Sequence, residues 1–274
     1  MEDGERNWED MEIDCLVNIF CKVGLDDLAV SLPLVCRSWS AAAGDALCWK
    51  ALDFRDLDFM PWSSFSKAFT ARFFVPRFSF SGFLKLAVRR SSGGAAELRL
   101  PQIASMEDLV LASNECPRLK ILSLPKLTLD DEARIPDLIA KWKDLQRLEI
   151  ESKPSNFFEL AAEIAGNCRV FSDLAMPCSS IKKEDASAIA TSLNKLRSLD
   201  LSRSYLPRAE LLVILGECRG LERLSVKSCL GFEADEEVKG KAAAIRIFEH
   251  EGTKMEGDSG YCTDECDDLE VHVI

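Results

Sequence analysis

One short phrase recurs along the middle of this 274-residue chain at an almost constant interval, and it constrains the fold more than any other feature. The copies are Leu119-Lys120-Ile121-Leu122-Ser123-Leu124, Leu145-Gln146-Arg147-Leu148-Glu149-Ile150, Phe171-Ser172-Asp173-Leu174-Ala175-Met176, Leu196-Arg197-Ser198-Leu199-Asp200-Leu201 and Leu221-Glu222-Arg223-Leu224-Ser225-Val226. Each reads apolar-x-x-apolar-x-apolar. Counted by the middle apolar residue the spacings are 26, 26, 25 and 25, and a partial copy, Glu97-Leu98-Arg99-Leu100, lies 24 residues ahead of the first. Alternation of this kind is the mark of a strand with one buried face. Between the copies, Ile135 to Trp142, Phe157 to Ile164, Ala186 to Leu193 and Ala209 to Leu215 place apolar residues at three- and four-residue steps, the period of a half-buried helix.

A strand and a helix in every unit of roughly 20 to 29 residues make the leucine-rich-repeat pattern. A single unit cannot bury its own apolar stripe, so five or six of them stack into a short curved solenoid. Because side chains alternate along a strand, the intervening positions line the concave face. Those positions are Arg99, Ser123, Arg147, Glu149, Asp173, Ser198, Asp200, Arg223, Ser225 and Lys227, and their mixed signs suit a specific protein target, although a solvated face without ligand has the same composition. Cys116, Cys168 and Cys218 each precede a phrase by three residues, which reads as repeat packing of a small apolar side chain rather than redox or metal chemistry.

Ahead of the repeats, Ile13, Leu16, Ile19, Phe20 and Val23 mark a short amphipathic helix after Asp10, with Gly24 expected to end it and Asp26 to cap the next turn. Pro33 opens a further segment carrying Leu34, Val35, Cys36 and Trp39, and Asp45 starts one carrying Leu47, Trp49 and Leu52. A bundle of this size cannot bury so many large apolar groups alone, so part of them must face a partner or the next domain.

Residues 8–54 resemble an F-box, the adaptor-binding motif of SCF-type ubiquitin ligases. The resemblance rests on Ile13, Leu16, Ile19-Phe20, Leu28, Val35-Cys36-Arg37-Ser38-Trp39 and Leu47-Cys48-Trp49 in matching order, and Trp39-Ser40-Ala41-Ala42-Ala43 is similar to plant members. The family's usual opening Leu-Pro is replaced by Met11-Glu12, in which Met11 keeps the apolar contact. With the repeats behind it, the chain resembles the F-box/leucine-rich-repeat class over residues 8–232. That resemblance implies an adaptor face drawn from Met11, Ile13, Leu16, Ile19, Phe20, Leu28, Val35, Cys36 and Trp39, or the core just beneath it. It implies a Skp-type adaptor and a cullin-RING ligase as partners, an unknown target protein on the repeats, no cofactor and no catalysis by the chain itself. An interaction scaffold that uses the bundle only as a solenoid cap is the alternative.

The expected fold class is therefore α/β, an F-box helical bundle followed by a leucine-rich-repeat solenoid. Residues 1–7 read as a disordered start, 8–54 as the F-box, 55–94 as an aromatic-rich helical connector, 95–233 as the repeats, 234–250 as a terminal helix or cap, and 251–274 as an acidic disordered tail. In that tail eight acidic residues stand against Lys254 alone.

Other chemistries find little support. The net charge of -12 argues against polyanion binding. Nine of the fifteen phenylalanines lie between Phe54 and Phe83, among Lys67, Arg72, Arg77, Lys85, Arg89 and Arg90, a mixture that also occurs in single-strand nucleic-acid platforms. Phe65, Phe69 and Phe73 fall four apart, however, and so share the buried face of a connector helix. His250 and His272 are the only histidines and lie at or within the tail, so no His-based base-nucleophile pair belongs to the solenoid. Cys262 and Cys266 are spaced more widely than a usual metal pair. Eleven cysteines, an odd number embedded mostly in apolar runs, suit reduced thiols. The acidic segment from Met1 to Asp10 lacks the apolar core of a secretory signal, and no run of about 18 apolar residues follows. Cytosol or nucleus is the expected compartment, without membrane or nucleic-acid contact.

Overall fold

The computed structural model describes Trp8 and residues 11–255. The chain opens with a helical module made of α1 (Ile13–Phe20), α2 (Leu25–Ala29), a 3-10 turn (Leu32–Leu34), α3 (Arg37–Ala43) and a second 3-10 turn (Ala46–Trp49). Leu16, Val17, Phe20, Leu25 and Leu28 fill its interior. Asp45 starts the last turn as expected, its carboxylate accepting from the Leu47 N–H at 2.8 Å. The other caps differ. Helix α1 ends at Phe20, Gly24 stands extended ahead of α2 at φ -64, and Asp26 lies in the first turn of α2 without capping it. Asp10 falls outside the described residues.

Eight short strands then form one parallel sheet in sequence order. They are β1 (Ala51–Asp53), β2 (Glu97–Arg99), β3 (Ile121–Leu124), β4 (Arg147–Ile150), β5 (Asp173–Ala175), β6 (Ser198–Asp200), β7 (Arg223–Ser225) and β8 (Ile247–Glu249). The helices between them are α4 (Ser64–Phe73), α5 (Phe80–Ser91), α6 (Met106–Glu115), α7 (Leu129–Glu132), α8 (Ile135–Ile139), α9 (Phe157–Asn167), α10 (Lys183–Ser192), α11 (Arg208–Glu217) and α12 (Glu236–Ala242). Leu52, Leu98, Leu122, Leu148, Leu174, Leu199, Leu224 and Phe248 stand in register, and the seven leucines of that row are buried. None of the helices among the described residues is long and apolar enough to cross a membrane.

The sheet runs past the span 95–233 at both ends. β1 belongs to the helical module, where Trp49, Leu52 and Phe54 supply the same apolar-x-x-apolar-x-apolar phrase and are buried. It is hidden from a periodicity count because α4 and α5 stretch that unit to 46 residues between Leu52 and Leu98. β8 lies beyond residue 233, and its phrase, Ile245-x-x-Phe248-x-His250, is weakened by a histidine in the last apolar place. Order also continues into the segment expected to be disordered from 251: Ser228 N–H donates to the Glu251 carbonyl at 2.8 Å, and Lys254 bridges Leu230. Residues 1–7, Cys262, Cys266, His272 and the rest of the acidic tail lie outside the described residues.

The helix-to-strand turns carry a second ladder. Cys116, Trp142, Cys168 and Cys218 occupy equivalent places, all buried. The Trp142 indole N–H donates to the Cys116 carbonyl at 2.9 Å, and the Cys168 thiol donates to the Trp142 carbonyl at 3.3 Å. In these two units the side chain at the turn thus satisfies the carbonyl that the turn before it leaves open, whereas Leu193 has no donor and the Cys218 thiol reaches the Ile189 carbonyl instead. Burial pushes the Cys116, Cys168 and Cys218 thiols up to about 11, which keeps them protonated and suits packing.

The connection from β1 to β2 is held together by phenylalanines. Phe54, Phe59, Phe65, Phe69, Phe73, Phe78, Phe80 and Phe83 lie ring against ring with centroids 4.5 to 6.3 Å apart, mostly edge to face. Eight of the nine rings of that stretch are therefore spent on one another. Phe74 alone of the nine turns outward, and is 95% exposed.

Candidate functional site: a helical face and a concave face

The helical module sorts its expected adaptor residues into two groups. Leu16, Phe20 and Leu28 are its interior and hold the surface from beneath rather than forming it, because α1 turns Leu16, Val17 and Phe20 onto one buried face. Ile13, Ile19 and Val35 are exposed, and Leu34 and Leu47 join them as exposed large aliphatics outside the expected set. Met11, Cys36 and Trp39 are half-buried. Trp39 packs edge-on against Phe20, ring centroids 5.2 Å apart, and its indole N–H donates to the Trp8 carbonyl at 3.4 Å. A module that buried all of these against the array would be a cap alone. This one joins the sheet through Trp49, Leu52 and Phe54 and still leaves five large aliphatic side chains in water.

On the concave side two rows flank the buried leucines. One runs Asp53, Arg99, Ser123, Glu149, Ala175, Asp200, Ser225 and Glu249, and the other runs Ala51, Glu97, Ile121, Arg147, Asp173, Ser198, Arg223 and Ile247. All the residues read as concave from the sequence fall on these rows except Lys227, which follows β7. Ser123 and Ser225 are nearly buried, so they shape this face more than they present themselves to a ligand.

The first four strands carry an ion network. Arg99 donates to both Glu97 and Glu149, Arg147 pairs with Glu149 at 2.7 Å, Arg55 pairs with Asp53 at 2.7 Å, and Arg55 comes within 3.9 Å of Glu149. Burial pushes the Asp53 carboxyl up, but hydrogen bonds from Arg55 and the charges of Arg55 and Arg99 outweigh it and hold the group below its ordinary range. At the far end Lys227 pairs with Glu249 at 2.6 Å and Arg223 approaches it at 3.7 Å, and the Lys227 hydrogen bond draws the Glu249 carboxyl down. Asp53, Arg55, Glu97 and Glu249 are missed by sequence reasoning. For Asp53 and Glu249 the signal that would find them is the outlying pair of phrases in β1 and β8.

Above this network a cleft of about 650 Å³ opens between the loop after β1, with Leu57, Phe59 and Met60, and the strand ends of the next units, with Ile103, Arg147 and Asp200 among its walls. Its rim is apolar, and the charged groups that line it already have partners: Arg55 and Arg147 pair with Glu149, Gln102 and the Lys126 N–H donate to Glu151, Ser202 donates to Asp200, and the Met60 N–H donates to Asp58.

No protein-family model matches the chain. An F-box/LRR-repeat protein of Arabidopsis thaliana is 30% identical over 227 residues, which cover 81% of this chain and 72% of that protein. The Arabidopsis F-box proteins SKIP19 and FBW2 are 24% and 22% identical, over 84% of this chain and 72% and 70% of their own lengths. Among solved structures, the leucine-rich-repeat ectodomain of the Arabidopsis receptor kinase SOBIR1 superposes with a TM-score of 0.30 at 23% identity, over 45% of this chain and 65% of that one. An internalin of Listeria monocytogenes superposes with a TM-score of 0.32 at 14% identity, over 65% of this chain and 66% of that one.

Proposed function

This chain belongs to the F-box/leucine-rich-repeat family, and from that premise we propose that it is a substrate receptor of an SCF-type cullin-RING ubiquitin ligase. The observation that carries the reading is the division of the helical module, in which Leu16, Phe20 and Leu28 fill the interior while Ile13, Ile19, Leu34, Val35 and Leu47 stand in solvent. Isolated aliphatics cost little, but several on one small module are what a Skp-type adaptor would cover, with an interface of standard size burying roughly 1,600 Å². Met11, Cys36 and Trp39 form the half-buried margin of that interface.

The target occupies the concave face. Arg99 and Glu149 set its shape by bonding each other, and Arg147, Asp173, Ser198, Asp200, Arg223 and Lys227 meet the target. The chain performs no chemistry. It holds a target near a conjugating enzyme carried by the ligase, which raises effective concentration.

The test is calorimetry of the purified chain with a Skp-type adaptor, beside Val35→Asp and Ile13→Asp. Both changes fall on exposed side chains, so circular dichroism should be unaltered while affinity falls at least tenfold. Wild-type chain that is folded and does not bind the adaptor would sink the proposal. Leu16→Asp serves as the contrast, since a charge at a fully buried position unfolds the module instead of sparing it.

A further inference from the structure

Residues 59–96 contain Lys67, Arg72, Arg77, Lys85, Arg89 and Arg90 and not one Asp or Glu, in a chain whose net charge is -12. None of these six cations makes an ion pair among the described residues. The cationic segment also holds the most exposed large apolar side chain among the described residues, Phe74, and sits directly beside the helical module.

At that junction a groove of about 610 Å³ is lined by Leu34 from the helical module and by Ala68, Ala71, Arg72 and Phe74 from the end of α4. The two alanines leave room for a side chain. Leu34 is 68% exposed and Phe74 is 95% exposed. Phe74 also sits in the left-handed region, φ 53 and ψ 39, where glycine would be at ease and a bulky residue is strained. For the chain alone both the exposure and the strain are unfavourable. Arg72 adds a third unmet demand, since its Nε is buried without a hydrogen-bond partner while the guanidinium lies 5.6 Å from the Phe73 ring centre.

We propose that this groove docks an acidic segment of a partner protein carrying one large apolar side chain. The side chain enters between Leu34 and Phe74, and the flanking carboxylates meet Arg72 and Lys67, which lies one turn before Ala71 on the same helix. The site is separate from the concave face and does not depend on the adaptor reading, but it shares Leu34 with the proposed adaptor face, so an adaptor and this segment compete for that one side chain while Arg72 and Phe74 belong to the groove alone. A nucleic-acid strand fits less well, because successive bases need successive open rings and eight of the nine phenylalanines stack on each other. A lipid surface fits less well because a trough floored by alanine methyl groups receives a side chain and offers a flat bilayer little.

The test pans a random dodecapeptide library against the full chain without adaptor, then titrates the strongest peptide, fluorescently labelled, against wild type, Arg72→Glu and Phe74→Gly. The expected pool is rich in Asp and Glu around Trp, Phe or Leu, and its best member binds each variant at least tenfold more weakly at unchanged circular dichroism. An empty pool, a pool without acidic residues, or a peptide that both variants bind as well as wild type overturns the proposal. So does binding of poly(U) RNA or phosphatidylserine vesicles that the variants lose while no peptide is selected.

Discussion

Arg99 in β2 reaches across β3 to donate a hydrogen bond to Glu149 in β4, passing over Ser123, which stands between them in the same row. Two strand spacings are about 9.6 Å, a span that a long guanidinium side chain covers only if the residue beneath it is small. Three strands are thereby tied by one pair, and the floor of the concave face is set before any ligand arrives. Replacing Arg99 by Ala should lower stability by about 1 to 2 kcal/mol in urea titrations, because Glu149 is left mostly buried with weaker partners. Arg99→Lys should recover less than half of that, since an ammonium cannot serve Glu97 and Glu149 together with a fork of donors.

Acid should expose the same network. The Asp53 carboxyl is held below its ordinary range in the folded chain, so the unfolded chain binds the proton first as pH falls. The stability it contributes is complete above the unfolded pKa of about 4 and is lost as pH drops through the lower folded value. Thermal melts from pH 6 to pH 2 should show this decline, and Asp53→Asn should flatten it. An unchanged slope in the variant would assign the acid sensitivity to other carboxylates.

Alkali should act through the buried thiols. Burial raises Cys48 to about 12 and Cys116, Cys168, Cys218 and Cys229 to about 11, above the ordinary thiol value. These groups favour folding fully below the unfolded pKa near 8.5, and the contribution fades as pH rises from there through the folded values. The same burial predicts a pattern of alkylation at pH 8: Cys15, Cys21 and Cys178 modified in the native chain, and the five buried thiols only after denaturant is added, as read by mass spectrometry.

Trp142 supports the ladder of turns by filling a buried site and by donating to the Cys116 carbonyl. Trp142→Phe keeps most of the volume and leaves that carbonyl unpaired, at a cost of about 1 to 3 kcal/mol. Trp142→Ala adds a cavity and should cost about 3 to 5 kcal/mol. Equal losses in the two variants would mean that the hydrogen bond, and not the packing, dominates.

Phe74→Gly should be neutral to stabilising, an unusual result for removal of an aromatic ring. The ring buries almost nothing, and glycine adopts φ 53 without the roughly 1 to 2 kcal/mol that a side chain meets there, against about 0.5 to 1 kcal/mol of added backbone entropy in the unfolded chain. A melting temperature lowered by several degrees would show that the ring is packed in solution.

The repeat was legible in the sequence because its information is local and periodic: Leu122, Leu148, Leu174, Leu199 and Leu224 mark the buried row, and the stretches between them carry the period of helices. Composition and the order of Val35, Cys36 and Trp39 likewise identified the helical module. What needed the tertiary structure were relationships across distance. That Trp49, Leu52 and Phe54 serve at once as the end of the helical module and the first strand depends on α4 and α5 folding outward between Leu52 and Leu98, which no fixed period reports. That Ile13 and Ile19 face water while Leu16 and Phe20 do not depends on which side of α1 meets α3. That Arg99 and Glu149 spend their charges on each other depends on strands stacked in parallel register, which places residues 50 positions apart within hydrogen-bonding reach. Alternation along a strand names the residues of a face, but only the packing of one unit on the next decides which of them are left open to a partner.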